Sequence, residues 1–360
     1  NLSYLDETIQ MMKENYICFI NHDEVYDYSD LPRKFNKKSI DEYISFLTKC
    51  KECGREFKSL RSLHAHIKRH GLLLGDYYVK HYQRRNKLTG ELLPFKNYKS
   101  YFAKDFNHPS ELLEWCDISP KEIVKPYIID MLRRRITNKN LDHGPTNLDL
   151  ITAGLPPVDV YKKYFGSYTE ACQECGVKPL LYKKLPKQFH LDFSNVEILI
   201  DTREQKPLTF SHSTKQKLDF GDYGVKGDLY DYTFVDRKNF ADFCSTVTVH
   251  YKRFAKELER CRDLGCYMFI VVDENFDNME NVNKSNYKKF KLDYVYHNMR
   301  ELQNEYSECC QFVFSGSREY SSYLIPKLLI LGTNLWEIDM QYFWSKLLHK
   351  YELEFRPAGI

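Results

Sequence analysis

Three stretches decide the fold of this chain: ILIDTREQ at 198–205, KLDFGDYGV at 217–225 and YTFVDRKNFADF at 232–243. Each carries apolar or β-branched residues that run into acids, so Asp201, Asp222, Asp236 and Lys238 fall at strand ends and turns. Asp236 and Lys238 lie two apart on a predicted strand, so both side chains leave the same face, roughly 6.6 Å apart along it. Tyr232 and Phe234 share that parity, which makes the face apolar deeper in and charged at its end.

The residue types suit phosphodiester chemistry. A carboxylate pair such as Asp222 with Asp236 offers hard oxygen ligands to Mg²⁺ or Mn²⁺, ions that keep several of their waters. Such an ion can acidify a water, polarise the scissile phosphate and stabilise the leaving oxygen. Lys238 beside it would orient the attacking water and neutralise charge building on the phosphate. Arg203 and Arg237 are candidates to clamp phosphate or to buttress the acids. Singly, these residues have ordinary explanations: Gly221-Asp222 as a turn, Arg203 with Glu204 as a surface pair. In order, and at strand ends, they point to a nuclease centre.

Further strands are read at Val196–Ile200, Tyr267–Val272 and Gln311–Phe314. Between them Tyr251, Phe254, Leu258, Cys261 and Leu264 follow a helical period stopped by Gly265. Strands alternating with helices argue for an α/β sheet with helices on its faces.

D-x-R-E, then Gly-Asp-Tyr, then Asp-Arg-Lys followed by Asp242 after three intervening residues resembles the XPF-type nuclease domain, a branch of the PD-(D/E)XK superfamily. The resemblance covers roughly residues 196 to 275. It implies a restriction-endonuclease-like catalytic domain, with Asp201 and Glu204 matching the acids of the first motif, Asp222 that of the Gly-Asp-Tyr turn, and Asp236, Arg237 and Lys238 the Glu-Arg-Lys motif, Asp here replacing Glu. The C-terminus departs from the family's eukaryotic members, showing no pair of glycine-containing helix-hairpin-helix motifs. A second stretch, GPTNLDLITAGLPPVDVYKKYFGSYTEACQECGV at 144–177, resembles the short helical repeats that accompany phage and homing-type endonucleases, with Lys162 and Lys163 placed to meet phosphates.

Near the N-terminus Cys50, Cys53, His66 and His70 are spaced C-x2-C-x12-H-x3-H, with Phe57 and Leu63 where a small ββα unit needs its two core residues. Two thiolates on a hairpin and two imidazoles one helical turn apart close a tetrahedron around one structural Zn²⁺. Cys172 and Cys175 form another C-x2-C, but no second pair follows, so packing is the expected role. From Lys49 to Lys87 eleven Lys or Arg stand against three acids. Interleaved with Tyr77, Tyr78 and Tyr82, they form the pattern of a phosphate-contacting face. Arg61, Lys68, Arg69, Arg84 and Arg85, with Arg203, are the candidate DNA contacts.

The chain as a whole is nearly balanced, 53 basic against 50 acidic residues. Its 360 residues predict several domains: an N-terminal segment of unassigned role (1–48, with a short helical period at Ile40, Tyr43, Ile44 and Leu47), finger and helical extension (49–85), a helical DNA-contact region and linker (86–190), nuclease domain (191–316) and a C-terminal helical segment (317–360). Eleven cysteines, no signal peptide and no apolar run of membrane length fit a reduced intracellular compartment, the bacterial cytoplasm if a phage encodes the chain. The first residue, Asn1, suggests a chain trimmed from a longer one. The expectation is a Mg²⁺-dependent endonuclease on double-stranded DNA, site-specific in the homing manner; the rivals are a structure-specific repair nuclease and a non-catalytic zinc-finger regulator. One centre makes one nick, so a double-strand break would call for a homodimer.

Overall fold

A computed structural model describes residues 49–103, 105–227, 232–287 and 289–354. The helical period at Ile40 to Leu47 and the rest of segment 1–48 lie outside the described residues. The chain divides into two units between Val124 and Lys125.

In the first unit the helices are α1 (Leu60–Ile67), α2 (Leu74–His81), α3 (Tyr98–Ala103) and α4 (Pro109–Ile118). Ser59 caps α1, its hydroxyl accepting from the Ser62 N–H at 3.2 Å. The ββα expectation needs one correction: among the described residues no ladder-paired strand precedes α1. A tight loop stands there instead, in which the Gly54 N–H donates to Cys50 O at 2.7 Å and the Cys50 N–H to Arg55 O at 2.8 Å. Gly54 takes a φ of +73°, which glycine adopts without steric cost. Leu63 and Ile67 of α1 are buried with Tyr77, Tyr78, Leu93, Tyr101 and Phe102. The Cys/His segment is thus part of a larger aromatic core. Polar stitches reinforce it: Tyr77 Oη accepts from the Lys51 N–H at 2.9 Å, and Tyr78 Oη pairs with His64 Nε2 at 2.8 Å.

The helix α5 (Lys121–Lys139) leads into the second unit, where a helical module comes first: α6 (Asn147–Thr152), α7 (Val158–Phe165) and α8 (Tyr168–Glu174), closed by the parallel pair β1 (His143–Gly144) and β2 (Lys178–Pro179). Cys172 packs so closely on Gly144 that a Cβ there would sit 2.3 Å from its sulfur. This accounts for Cys172 by packing.

The main sheet has strands β3 (Ile198–Ile200), β4 (Ser213–Lys215), β5 (Tyr223–Val225), β6 (Thr233–Lys238), β7 (Tyr267–Val272) and β8 (Cys310–Phe314), in the order β4-β3-β5-β6-β7-β8. β3, β5 and β6 run antiparallel in turn, while β6, β7 and β8 are parallel. Parallel neighbours require crossovers, supplied by α9 (Phe240–Thr246) and α10 (Tyr251–Asp263), then by α11 (Met279–Ser285) and α12 (Leu292–Glu305). β7, with a strand on either side and helices on both faces, is apolar throughout, YMFIVV, and every residue is buried. The α/β expectation therefore holds, as a mixed sheet.

One face of the sheet packs Phe234, Met268, Ile270 and Phe312 against Phe254 and Leu258 of α10 and Met299 and Leu302 of α12. The other packs Val235, Phe269 and Val313 against α13 (Arg318–Leu331) and α14 (Met340–Glu354), through Leu324, Leu328 and Trp344. The residues after 316 thus contribute to the core beneath the sheet. Lys327 of α13 is buried and donates to the carbonyls of Phe189 (2.9 Å) and Leu191 (2.6 Å), tying the entry of the sheet to that helix.

The helical module belongs to the same unit by a buried polar network. Arg135 forks onto Asp149 with two bonds of 2.8 Å, Gln303 of α12 donates to Thr146 Oγ1 at 3.1 Å, and the Asn147 N–H donates to Asp339 at 2.7 Å. Satisfied on both sides, such a network fixes one arrangement of its elements.

Candidate active site and candidate metal centre

The motif residues converge where the ends of β3 and β6 meet the start of β5. The Asp201 N–H donates to Asp222 O and the Asp222 N–H to Val235 O, both at 2.8 Å, so the first two motifs and β6 are joined by backbone bonds. Gly221 makes this approach feasible: its φ is +61°, and a Cβ there would lie 2.6 Å from Val235 O. The Arg237 N–H then donates to Asp222 Oδ2 at 2.8 Å.

Asp236 and Lys238 share a face of β6 as their spacing predicts, and Lys238 Nζ donates to Asp236 Oδ1 at 2.5 Å. Burial and the neighbouring Asp236 carboxylate push the Asp222 pKa up to about 8, against the opposing pull of Lys238 and the Arg237 N–H. Burial also works against the Lys238 ammonium, but Asp236 and Asp222 outweigh it and its pKa is raised. Two acids and one cation thus share one field.

The other motif residues brace this pair. Asp201 is buried, with all its oxygen capacity engaged: Arg203 donates from its backbone N–H (2.8 Å), Nε (2.6 Å) and Nη2 (3.1 Å), and Leu218 from its N–H (2.7 Å). Burial would raise its pKa, yet Arg203 and these N–H groups bring it down to about 2. Arg203, although held by Asp201, keeps 65% of its side chain exposed. Arg237 turns to the opposite face of β6, where its guanidinium pairs with Asp273, donates to Lys206 O at 2.9 Å and lies 3.6 Å from Glu204. Of the two arginines, only Arg203 is open to a phosphate; Arg237 buttresses. Asn239 caps α9, its Oδ1 accepting from the Asp242 N–H at 3.0 Å and its Nδ2 donating to the Asp242 carboxylate at 2.6 Å.

Two acids escaped the sequence reading. Asp273, directly after β7, holds Arg237 and accepts from Ser321 Oγ at 2.5 Å. Its only signal was an acid closing an apolar strand. Glu257 on α10 has its pKa raised by burial and by the Asp236 carboxylate. Nothing in its own helix marks it, since tertiary packing of α10 brings it to the site.

The candidate DNA contacts divide. Arg61, Lys68, Arg69 and Arg85 are exposed. Arg84 is enclosed instead, pairing with Asp105 and donating to Tyr101 O at 2.6 Å. Lys162 and Lys163 are both exposed; Lys162 donates to Tyr342 Oη at 2.6 Å and lies over that ring, while Lys163 lies over the Tyr164 ring. A concavity of about 640 Å³ beside α12, lined by Lys139, His143, His297 and Glu301 among others, contains none of the motif residues.

Cys50, Cys53, His66 and His70 come together with their ligand atoms all within 4.8 Å of one another. Cys53 Sγ to His66 Nε2 is 3.2 Å, Cys50 Sγ to His70 Nε2 3.6 Å, and the two Nε2 atoms are 3.0 Å apart. A tetrahedron with Zn–S of about 2.3 Å and Zn–N of about 2.0 Å has edges of roughly 3.3–3.8 Å, which these separations approach. This group can hold a metal ion. Among the described residues it is the only set of three or more Cys, His or acidic side chains that converges in this way.

No family model matches the chain, and no curated protein matches it. The similarity to solved structures is weak. XPF from Aeropyrum pernix in complex with DNA is 19% identical, with a TM-score of 0.29 over 39% of this chain and 66% of that one. XPF from Aeropyrum pernix alone is 18% identical, with a TM-score of 0.28 over 45% and 75%. No described helix is long and apolar enough to cross a membrane.

Proposed function

We propose that this chain is a metal-dependent DNA endonuclease that hydrolyses phosphodiester bonds at the cluster of Asp222, Asp236 and Lys238. The observation that carries the reading is the convergence of the Asp222 and Asp236 carboxylates where β3, β5 and β6 are joined, with the Arg237 N–H donating to Asp222 at 2.8 Å and Lys238 salt-bridged to Asp236 at 2.5 Å. A buried acid whose ionisation is opposed, beside a second carboxylate and a lysine at strand ends, is the kind of arrangement that phosphoryl chemistry uses.

Asp222 and Asp236 fit a Mg²⁺ or Mn²⁺ ion by donor type, hard oxygens few enough to leave room for its waters. Such an ion supplies Lewis-acid polarisation of the scissile phosphate and a more acidic water. Lys238 lies beside the carboxylates to hold the attacking water and to balance charge as the new P–O bond forms and the bond to the leaving oxygen breaks. Arg203, anchored by Asp201 and exposed, is placed to bind the phosphate. Glu204, Arg237 and Asp273 hold the far side of β6 in place. Zn²⁺ at the Cys50, Cys53, His66 and His70 group plays a structural part, and double-stranded DNA is the partner.

The test is cleavage of a random-sequence library and of flap and junction substrates, with Mg²⁺ and without added divalent metal, followed by sequencing of the ends. Recurrent ends at one linear sequence mean a site-specific enzyme, and ends only at junctions a structure-specific one. Absence of any metal-dependent product from the native chain overturns the nuclease reading. Molar mass in solution with DNA decides whether a double-strand break comes from a homodimer.

A further inference from the structure

We propose that the finger grips duplex DNA through its phosphates, independently of base sequence. The choice of duplex DNA as partner rests on the nuclease reading; the mode of contact rests on the finger itself.

Fingers with two Cys and two His read three successive bases from helix positions −1, 3 and 6, counted from the helix start. Leu60 is the first residue of α1, so these positions are Ser59, Ser62 and Ala65. None is long enough for a bidentate contact to a base edge, the interaction that gives strong discrimination. Both serines are also occupied. Ser59 Oγ accepts from the Ser62 N–H at 3.2 Å as the helix cap, and the two hydroxyls share a hydrogen bond of 3.0 Å. The opposite side of α1 is committed to the core through Leu63 and Ile67 and to Tyr78 through His64.

Cations surround this small-residue face. Arg55, Lys58, Arg61, Lys68 and Arg69 are all exposed, with Glu56 the one acid between 55 and 69, a net of +4. No described carboxylate forms an ion pair with Arg61, Lys68 or Arg69. Short side chains let the helix approach the duplex closely, and the long cations around it reach the phosphates. Contacts of that kind position a protein on DNA and carry no sequence information. Selection of a target, whether sequence or junction, then falls to other parts of the chain.

The experiment uses the full chain with zinc bound, in a cleavage-silenced Asp236→Asn background, and measures affinity for several unrelated 30-bp duplexes over a NaCl series. In the combined Arg61→Ala, Lys68→Ala, Arg69→Ala variant, each lost phosphate contact should take roughly 0.9 off the slope of log K against log salt. The fold-loss in affinity should be the same for every duplex. Native mass spectrometry confirms zinc occupancy, and where the triple variant loses zinc the three single variants supply the same reading. Selection from a random duplex library should give the same base preferences for Ser62→Ala with Ala65→Ser as for the parent. An unchanged slope with zinc retained overturns the proposal, as does a shift in selected bases on changing Ser62 or Ala65, or tighter binding to one duplex that the cation variants abolish. Failure of the nuclease reading is distinguishable, because it shows as absence of metal-dependent cleavage by the native chain whatever its affinity.

Discussion

Lys238 Nζ meets Asp236 Oδ1 at 2.5 Å on one face of β6, while Arg237 between them turns to the other and pairs with Asp273. The alternation of a strand thus separates the three charges of Asp-Arg-Lys, an acid–lysine pair on one side and an arginine held by Asp273 on the other. Asp236→Asn and Lys238→Met should each reduce cleavage while sparing DNA affinity, the lysine change by about 10²–10³-fold. Single-turnover rates and binding isotherms, measured separately, check this; equal loss of binding would make the residues structural.

The raised pKa of Asp222 carries a sign for stability. Folding opposes ionisation of this carboxyl, so its penalty is absent below its ordinary value of 3.8, grows as pH rises past it, and is complete above about 8. Without added divalent metal, the melting temperature should therefore fall between these limits, and Asp222→Asn should flatten that fall. Added Mg²⁺ should raise the melting temperature more at pH 8.5 than at pH 6, because the ion binds the deprotonated form.

Gly221→Ala places a methyl 2.6 Å from Val235 O at a φ of +61°. The obstacle is backbone, so β5 and β6 must part or the turn must change. A loss of about 1–3 kcal/mol is expected from the strained conformation, with cleavage falling further because Asp222 moves with the turn. Urea denaturation and cleavage rates report the two effects.

Cys50→Ser removes one of four ligands from a group that is also part of a core with Leu63, Tyr77 and Tyr101. The expected result is loss of one bound zinc per chain and weaker DNA binding, with the far-ultraviolet signature of the second unit retained. Zinc stoichiometry by native mass spectrometry tests it, and an unchanged value would remove the zinc assignment.

Glu257→Gln deletes a carboxylate that acts on Asp236 and Lys238 from α10. Less negative charge at the site should raise the Mg²⁺ concentration needed for half-maximal cutting, with a smaller change in the rate at saturation. A metal titration of the cleavage rate separates the two.

Much of the sheet was legible because its signals are local. The alternation of 232–238 corresponds to β6, the apolar run at 267–272 to β7, and the period of Tyr251, Phe254, Leu258 and Cys261 to α10. Charge was less informative. Arg84, Arg85 and Arg203 look alike in sequence, yet one is enclosed by Asp105 and Tyr101, one is exposed, and one is anchored and open at once.

The period-two faces of β6, the glycine that the turn before Asp222 demands and the spacing of Cys50, Cys53, His66 and His70 all follow from residues close along the chain. Packing between distant elements saturates Asp201 with Arg203 and Leu218, brings Asp273 and Glu257 to the site, and joins the Cys/His segment to α2 and α3 in one core. Those outcomes depend on which distant elements pack together, and burial then sets how each charge behaves. A spacing pattern can name the ligands and the acids, but the field they act in is made by the neighbours that folding brings to them.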